Sequence, residues 1–250
     1  AVVSFLESGN FAAPGKVQRD ILINLQNDIN RYSRGIERDR TLECFLSIPS
    51  QLAQSNKKFM YSRIGGGGSR RAADMYRENL LWIRDAGVGN FCYALNSVEI
   101  PLRMHEERGL FRVYLSDTGL LLNMCGGNVA GAVAMGDDSV NMGSIAENAV
   151  CECLVKAGFD AHYYRKDSGE MMMELDFVVE LGEELCVIEV KSGKHRNAPS
   201  IRKAGRYFDV DRRVVFERSN ISVDEEGIEH YPLFAAAFAD SLVGKTRFGD

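Results

Sequence analysis

Between Pro14 and Tyr32, the apolar residues Val17, Ile21, Leu25 and Ile29 recur every fourth position with Leu22 beside them, a spacing that predicts an amphipathic helix. A second helix is expected to open on Thr41 as its N-cap and to present Leu42, Phe45, Leu46 and Ile48 before Pro49 interrupts it. The run Gly65-Gly66-Gly67-Gly68-Ser69 would cost too much backbone entropy inside a helix or strand and predicts a turn. Beyond it Ala73, Tyr76, Leu80, Leu81 and Ile83 return to helical spacing, with Arg70, Arg71 and Arg77 on other faces.

Strand-like segments follow at 90–95 and 110–115, separated by a polar connection containing Pro101. Helices followed by a two-stranded ribbon, the last helix being basic, are the order of a winged helix. From Met124 to Gly143 the chain turns small and glycine-rich, which suits an exposed connection between domains. The division expected is therefore a helical, winged-helix-like domain over residues 1–125 and an α/β (α+β) domain with a mixed sheet over residues 140–250. A helix opens the second domain and runs to about Ala157. Its Ser144 and Glu147 have capping-box spacing.

At 250 residues, 45% hydrophobic and 26% charged, the chain has material for two globular cores. No run approaches the roughly 18 apolar residues that a membrane-spanning helix needs, and the N-terminus lacks the layout of a secretory signal, so a cytoplasmic protein without membrane contact is expected. The chain opens on Ala1 instead of methionine, which reads as a fragment of a longer protein. None of Cys44, Cys92, Cys125, Cys151, Cys153 and Cys186 forms a Cys-x-x-Cys pair, and the four histidines show no zinc spacing, so buried free thiols are expected.

The net charge of −5 argues against a generally basic nucleic-acid binder, but the mean hides local blocks. Two stretches contain no acid. Gln54 to Ala73 carries Lys57, Lys58, Arg63, Arg70 and Arg71; Lys191 to Phe208 carries Lys191, Lys194, Arg196, Arg202, Lys203 and Arg206. Each fits either a solvated surface or a set of phosphate contacts to DNA, for which Lys57, Lys58, Arg63, Arg70, Arg71, Lys194 and Arg202 are the candidates.

The chemistry concentrates between Glu174 and Lys191. Two β-rich runs flank Gly182-Glu183, and glycine at the first central position suits a two-residue type II′ hairpin. Pairing Leu181 with Glu184 sets Asp176 across the ladder from Glu189, and a period of two places Lys191 on the face of Glu189, with Phe177, Val179, Ile188 and Val190 opposite. Carboxylates held side by side repel unless something compensates, and Mg²⁺ suits hard oxygen ligands. In this reading Asp176, Glu189 and Glu147 hold the metal, and Lys191 serves the scissile phosphate or the attacking water. The same residues also fit the solvent face of a hairpin in which Lys191 merely pairs with an acid.

Asp176, twelve intervening residues and Glu189-Val190-Lys191 resemble the pattern of the PD-(D/E)xK nuclease superfamily, with Leu175 where a proline often stands. The wider run resembles the carboxyl-terminal half of prokaryotic AAA+-type ATPases that carry the domain of unknown function 4143. The resembling stretches are Ile48-Pro49-Ser50-Gln51-Leu52-Ala53, Tyr114 to Leu121, Ala146-Glu147-Asn148 and Ile188 to Gly193, spread over nearly the whole chain to about residue 215. The resemblance implies a winged-helix-like segment leading into a nuclease-like fold, and an ATP-binding module only in a longer parent protein. Gly244-Lys245-Thr246 mimics the end of a phosphate-binding loop, but Ala239 stands where its first glycine belongs.

Three functions are therefore expected to compete. The first is a Mg²⁺-dependent nuclease acting on DNA phosphodiesters. The second is a non-catalytic module that binds DNA or protein and couples to the ATPase domain of its parent chain. The third is an oligomerisation region of that ATPase.

Overall fold

The computed structural model describes residues 1–10, 12–32, 35–64, 69–126, 129–136, 141–193 and 198–242, with side chains described throughout except at residues 32, 69–74, 134 and 242. The glycine run, Lys194 and the segment Gly244 to Thr246 lie outside the described residues, as do the side chains of Arg70 and Arg71. Among the described residues no helix is long and apolar enough to cross a membrane. The protein is a mixed α/β chain that divides into two compact units: residues 1–90 with 115–141, and residues 91–114 with 142–250.

The first unit is helical. It contains α1 (Val2–Ser8), α2 (Ala12–Tyr32), α3 (Ile36–Leu52), α4 (Ser69–Asp85), α5 (Thr118–Met124) and α6 (Val129–Met135). Helix α3 departs from expectation at both ends. It begins at Ile36, so Thr41 lies inside it, donating from Oγ1 to the Glu37 carbonyl at 2.9 Å and accepting from Asn79 Nδ2 at 2.9 Å. At the other end it continues through Pro49, because Phe45, Ile48 and Leu52 form one buried stripe whose packing outweighs the amide that proline removes. The glycine-rich stretch expected as an open connection holds α6, and Asp117 caps α5 by accepting from the Leu120 amide at 2.9 Å.

The second unit is built on an eight-stranded mixed sheet. Its strands are β1 (Gly89–Leu95), β2 (Glu106–Leu115), β3 (His162–Lys166), β4 (Met173–Leu181), β5 (Glu184–Val190), β6 (Arg212–Glu217), β7 (Ser222–Val223) and β8 (Glu229–Pro232), in the order β2-β1-β3-β4-β5-β6-β8-β7. The helices α7 (Met142–Lys156) and α8 (Pro199–Tyr207) belong to the same unit. The ribbon expected as the wing of residues 1–125 is instead the edge of this sheet, with β1 parallel to β3 through Tyr93↔His162 and Leu95↔Tyr164. The reason is apolarity. Cys92, Ala94 and Leu95 of β1, and Phe111 through Leu115 of β2, are buried, which a wing with one wet face would not allow.

The hairpin joining β4 to β5 has the expected register, from Leu181↔Glu184 to Phe177↔Ile188. Gly182 has φ 70°, and Glu183 is not among the positive-φ residues, as a II′ turn requires. Helix α8 inserts Ile201 and Ala204 into a cluster with Val178, Leu185, Val187 and Val215. Phe177, next to Val178 on β4, meets Tyr114 with ring centres 5.5 Å apart.

Candidate functional site

The candidate residues come from the first half of β4, the end of β5 with the residue after it, and the first half of α7. On β4 the pairing with β3 slips: His162 opposes Val178, but Tyr164 opposes Leu175, so Asp176 and Phe177 share the space opposite Tyr163. This bulge breaks the strict alternation on which the sequence reading placed Asp176. The Asp176 carboxylate turns to the neighbouring strand and accepts from the Val190 amide at 2.9 Å.

Glu189 is a buried acid of the site. It is 6% exposed, its Oε1 is ion-paired with the Lys191 amine, and its Oε2 is buried without a hydrogen-bond partner. Burial and then the negative charge of Asp176 push its pKa up to about 7, and Lys191 reverses this only in part. Lys191 is half-exposed. Burial works against its charge, but Glu189 above all, with Asp176 and Glu147, holds its pKa above the ordinary lysine value. The two directions are compatible, because Glu189 is already ionised at the pH where Lys191 titrates.

Glu147 lies 4% exposed on α7 with Oε2 3.3 Å from the Tyr114 hydroxyl. Helix α7 begins at Met142, so Ser144 stands within its first turn instead of ahead of it. Burial pushes the Tyr114 hydroxyl well above its usual range, so it serves Glu147 as a proton-bearing donor.

The described residues contain no group of three or more His, Cys, Asp or Glu placed to hold a metal ion, so the expected trio of Asp176, Glu189 and Glu147 is not gathered as a ligand set. Glu147 is engaged with Tyr114, and one Asp176 oxygen with Val190. A smaller set fits better. Mg²⁺ keeps several waters and is commonly bound by one or two carboxylates, and the orphan Oε2 of Glu189 together with Asp176 supplies two.

Reading the sequence missed Arg112, Tyr114 and Glu174. The available signal was a charged residue within the apolar run Leu110 to Leu115, and a second acid two residues ahead of Asp176. Of the candidate DNA contacts, Arg63 is exposed, while Lys57 and Lys58 are half-buried, Lys57 with a left-handed φ of 50°. Arg202 is committed elsewhere: it forms ion pairs with Asp224 at 3.5 Å and Glu226 at 3.0 Å, which offset its charge. All six cysteines are free thiols, four of them buried as expected, with Cys153 half-buried and Cys125 exposed.

Residues 142–234 match the family described as Domain of unknown function (DUF4143), and residues 1–130 match a different one, described as Domain of unknown function (DUF8612). The likeness expected over nearly the whole chain is thus divided between two families. No match was found among curated proteins or among solved structures.

Proposed function

We propose, for a chain that belongs to the family described as Domain of unknown function (DUF8612), that its second unit carries a Mg²⁺-assisted phosphodiester-cleaving site acting on DNA. The observation behind this reading is the orphan Oε2 of Glu189, a buried carboxylate oxygen beside Asp176 that a divalent cation would satisfy. Asp176 and Glu189 would hold the ion. When bound, Mg²⁺ supplies a water of lowered pKa and neutralises charge on the phosphate. Lys191, fixed against Glu189, orients its remaining N–H donors toward a phosphate oxygen or the attacking water. Tyr114 keeps Glu147 in place on α7.

A second reading is favoured by the ion pair itself. Lys191 already neutralises Glu189 in part, so the unit also suits a non-catalytic module that binds DNA or protein and relays the state of an AAA+-type ATPase domain in a longer parent chain. In this reading Lys57, Lys58, Arg63, Arg70, Arg71 and Lys194 contact the phosphate backbone.

Calorimetric titration with Mg²⁺ or Mn²⁺ at pH 8 separates the two. Heat in the wild type that disappears in Asp176→Asn and Glu189→Gln supports the metal site, and absence of heat in all three favours the binding module. Cleavage of single- and double-stranded DNA follows, with Lys191→Ala as control. Equal activity in that variant would assign the cleavage to a contaminant.

A further inference from the structure

The sheet face that carries Glu189 and Lys191 continues beyond β5. Parallel pairing sets Glu189 opposite Val215 of β6 and Val215 opposite His230 of β8, so the three form one cross-strand row on a common face. The Lys191 amide donates to the Phe216 carbonyl at 2.8 Å, which extends the pairing by one residue and brings Glu217 beside Lys191. His230 thus stands two strands from Glu189, about 10 Å at the usual strand spacing.

Glu217 and His230 are 3% and 8% exposed, and His230 Nδ1 lies 2.9 Å from Glu217 Oε1. A carboxylate only accepts, so the neutral ring donates from Nδ1 and carries its lone pair on Nε2. That nitrogen faces Asp224 Oδ2 across 3.7 Å, too far for a hydrogen bond. Asp224 is held in this position. Its Oδ1 accepts from the Glu226 and Ile228 amides at 2.9 Å each, and Arg202 of α8 meets its Oδ2 at 3.5 Å. Two acceptors therefore face each other, and one nitrogen bearing two hydrogens, about 2.9 Å from each, would satisfy both. With Arg202, Glu217 and Ser222 they line a cavity of about 420 Å³, within the size range of small-ligand pockets.

We propose that this cavity is a base-recognition pocket, in which the exocyclic amino group of an unpaired nucleobase donates to His230 Nε2 and Asp224 Oδ2. The shared row identifies the ligand: a phosphate at Lys191 and a base edge at His230 are separated by about the span of one nucleotide. Glu217 is a positioning residue that fixes which ring nitrogen accepts. Both amino hydrogens are engaged, so the partner is a single strand. Cytosine presents such an amino group, whereas thymine presents a carbonyl oxygen at the same place and would set a third acceptor against the two. The proposal rests on the reading of Glu189 and Lys191 as a DNA-directed site, but on binding alone and not on metal or cleavage.

The test is fluorescence anisotropy of labelled oligodeoxycytidylate and oligothymidylate of equal length, in EDTA, with the wild type, Asp224→Asn and His230→Asn. The wild type should bind the cytosine strand about tenfold more tightly, the scale of a hydrogen bond to a charged group. Asp224→Asn keeps an acceptor for the two amides but sets an N–H donor where Oδ2 stood, and His230→Asn keeps a donor to Glu217 but removes Nε2. Both should lose the cytosine preference while still binding the thymine strand. Equal binding of the two strands by the wild type, no binding of either, or a preference that survives either substitution overturns the proposal. Should neither variant fold, the wild type decides by NMR: deoxycytidine should shift the His230 ring resonances and thymidine should not. Equal shifts, or none, overturn the pocket, and a shift with ethylammonium but not deoxycytidine assigns the cavity to aliphatic amines instead. A cytosine preference in a protein that gives no Mg²⁺ heat supports the pocket while removing the metal site proposed above. Mg²⁺ heat without a cytosine preference does the reverse.

Discussion

The Val190 amide of β5 donates to the Asp176 carboxylate of β4 at 2.9 Å, tying the bulge to the strand that carries Glu189 and Lys191. Asp176 thus has a task in the fold apart from any chemistry, and substitutions can separate the two. Asp176→Ala leaves a buried amide unpaired and should cost about 1–3 kcal/mol in urea unfolding. Asp176→Asn retains an acceptor oxygen and should cost less, yet should lose Mg²⁺ binding as completely as the alanine variant. If both variants bind Mg²⁺ as the wild type does, Asp176 is purely structural.

Glu189 makes stability depend on pH in a definite direction. Its folded pKa of about 7 lies above the ordinary 4.5, so the folded protein binds this proton more tightly than the unfolded chain. The stabilisation from that proton is fully present below pH 4.5 and is lost as pH rises through 7, with a span on the order of 3 kcal/mol. Glu189→Gln has no such titration. Its stability relative to the wild type should therefore increase as pH rises between these two values. A constant difference across that range would mean that Glu189 is not desolvated.

Much of this site could be read from local pattern. Alternation and a glycine at the hairpin's first central position were enough to set the register from Leu181↔Glu184 to Phe177↔Ile188, because turn type and pleat are properties of adjacent residues. The bulge at Asp176 was not legible, since it arises from the pairing of β4 with β3, and nothing within β4 encodes that partner. The same holds for β1 and β2. As a segment pair they read as a ribbon, and only the parallel pairing of Tyr93 with His162 draws them into the sheet. Arg112 was passed over for a related reason, because its partners Glu174 and Tyr163 come from strands more than 40 residues away.

Away from the site, Arg212 and Glu229 form a buried forked pair, Nε to Oε1 at 2.9 Å and Nη2 to Oε2 at 2.6 Å, with the Tyr231 hydroxyl donating to Oε2 at 2.8 Å. Arg212→Met strands the carboxylate and should cost about 3–5 kcal/mol. The double variant Arg212→Met/Glu229→Leu should recover much of that loss, because it leaves no buried charge uncompensated. Urea unfolding of the four proteins in this cycle gives the coupling directly, and additive single-variant effects would show that the fork is not a functional unit of the fold.

Leu175, directly ahead of Asp176 on β4, is wholly buried and opposes Tyr164 on the neighbouring strand. Strand β4 lies between β3 and β5, so each of its amides has a ladder on one side or the other. Leu175→Pro would remove one of those donors and a core side chain together, an expected loss of about 3 kcal/mol or more. For a protein of this size that should lower Tm by at least roughly 6 °C. Leu175→Met, which keeps the amide and nearly the same volume, should stay within about 1.5 kcal/mol of the wild type. A proline variant that melts with the wild type would place the Leu175 amide outside the ladder and make the bulge begin one residue earlier than Asp176.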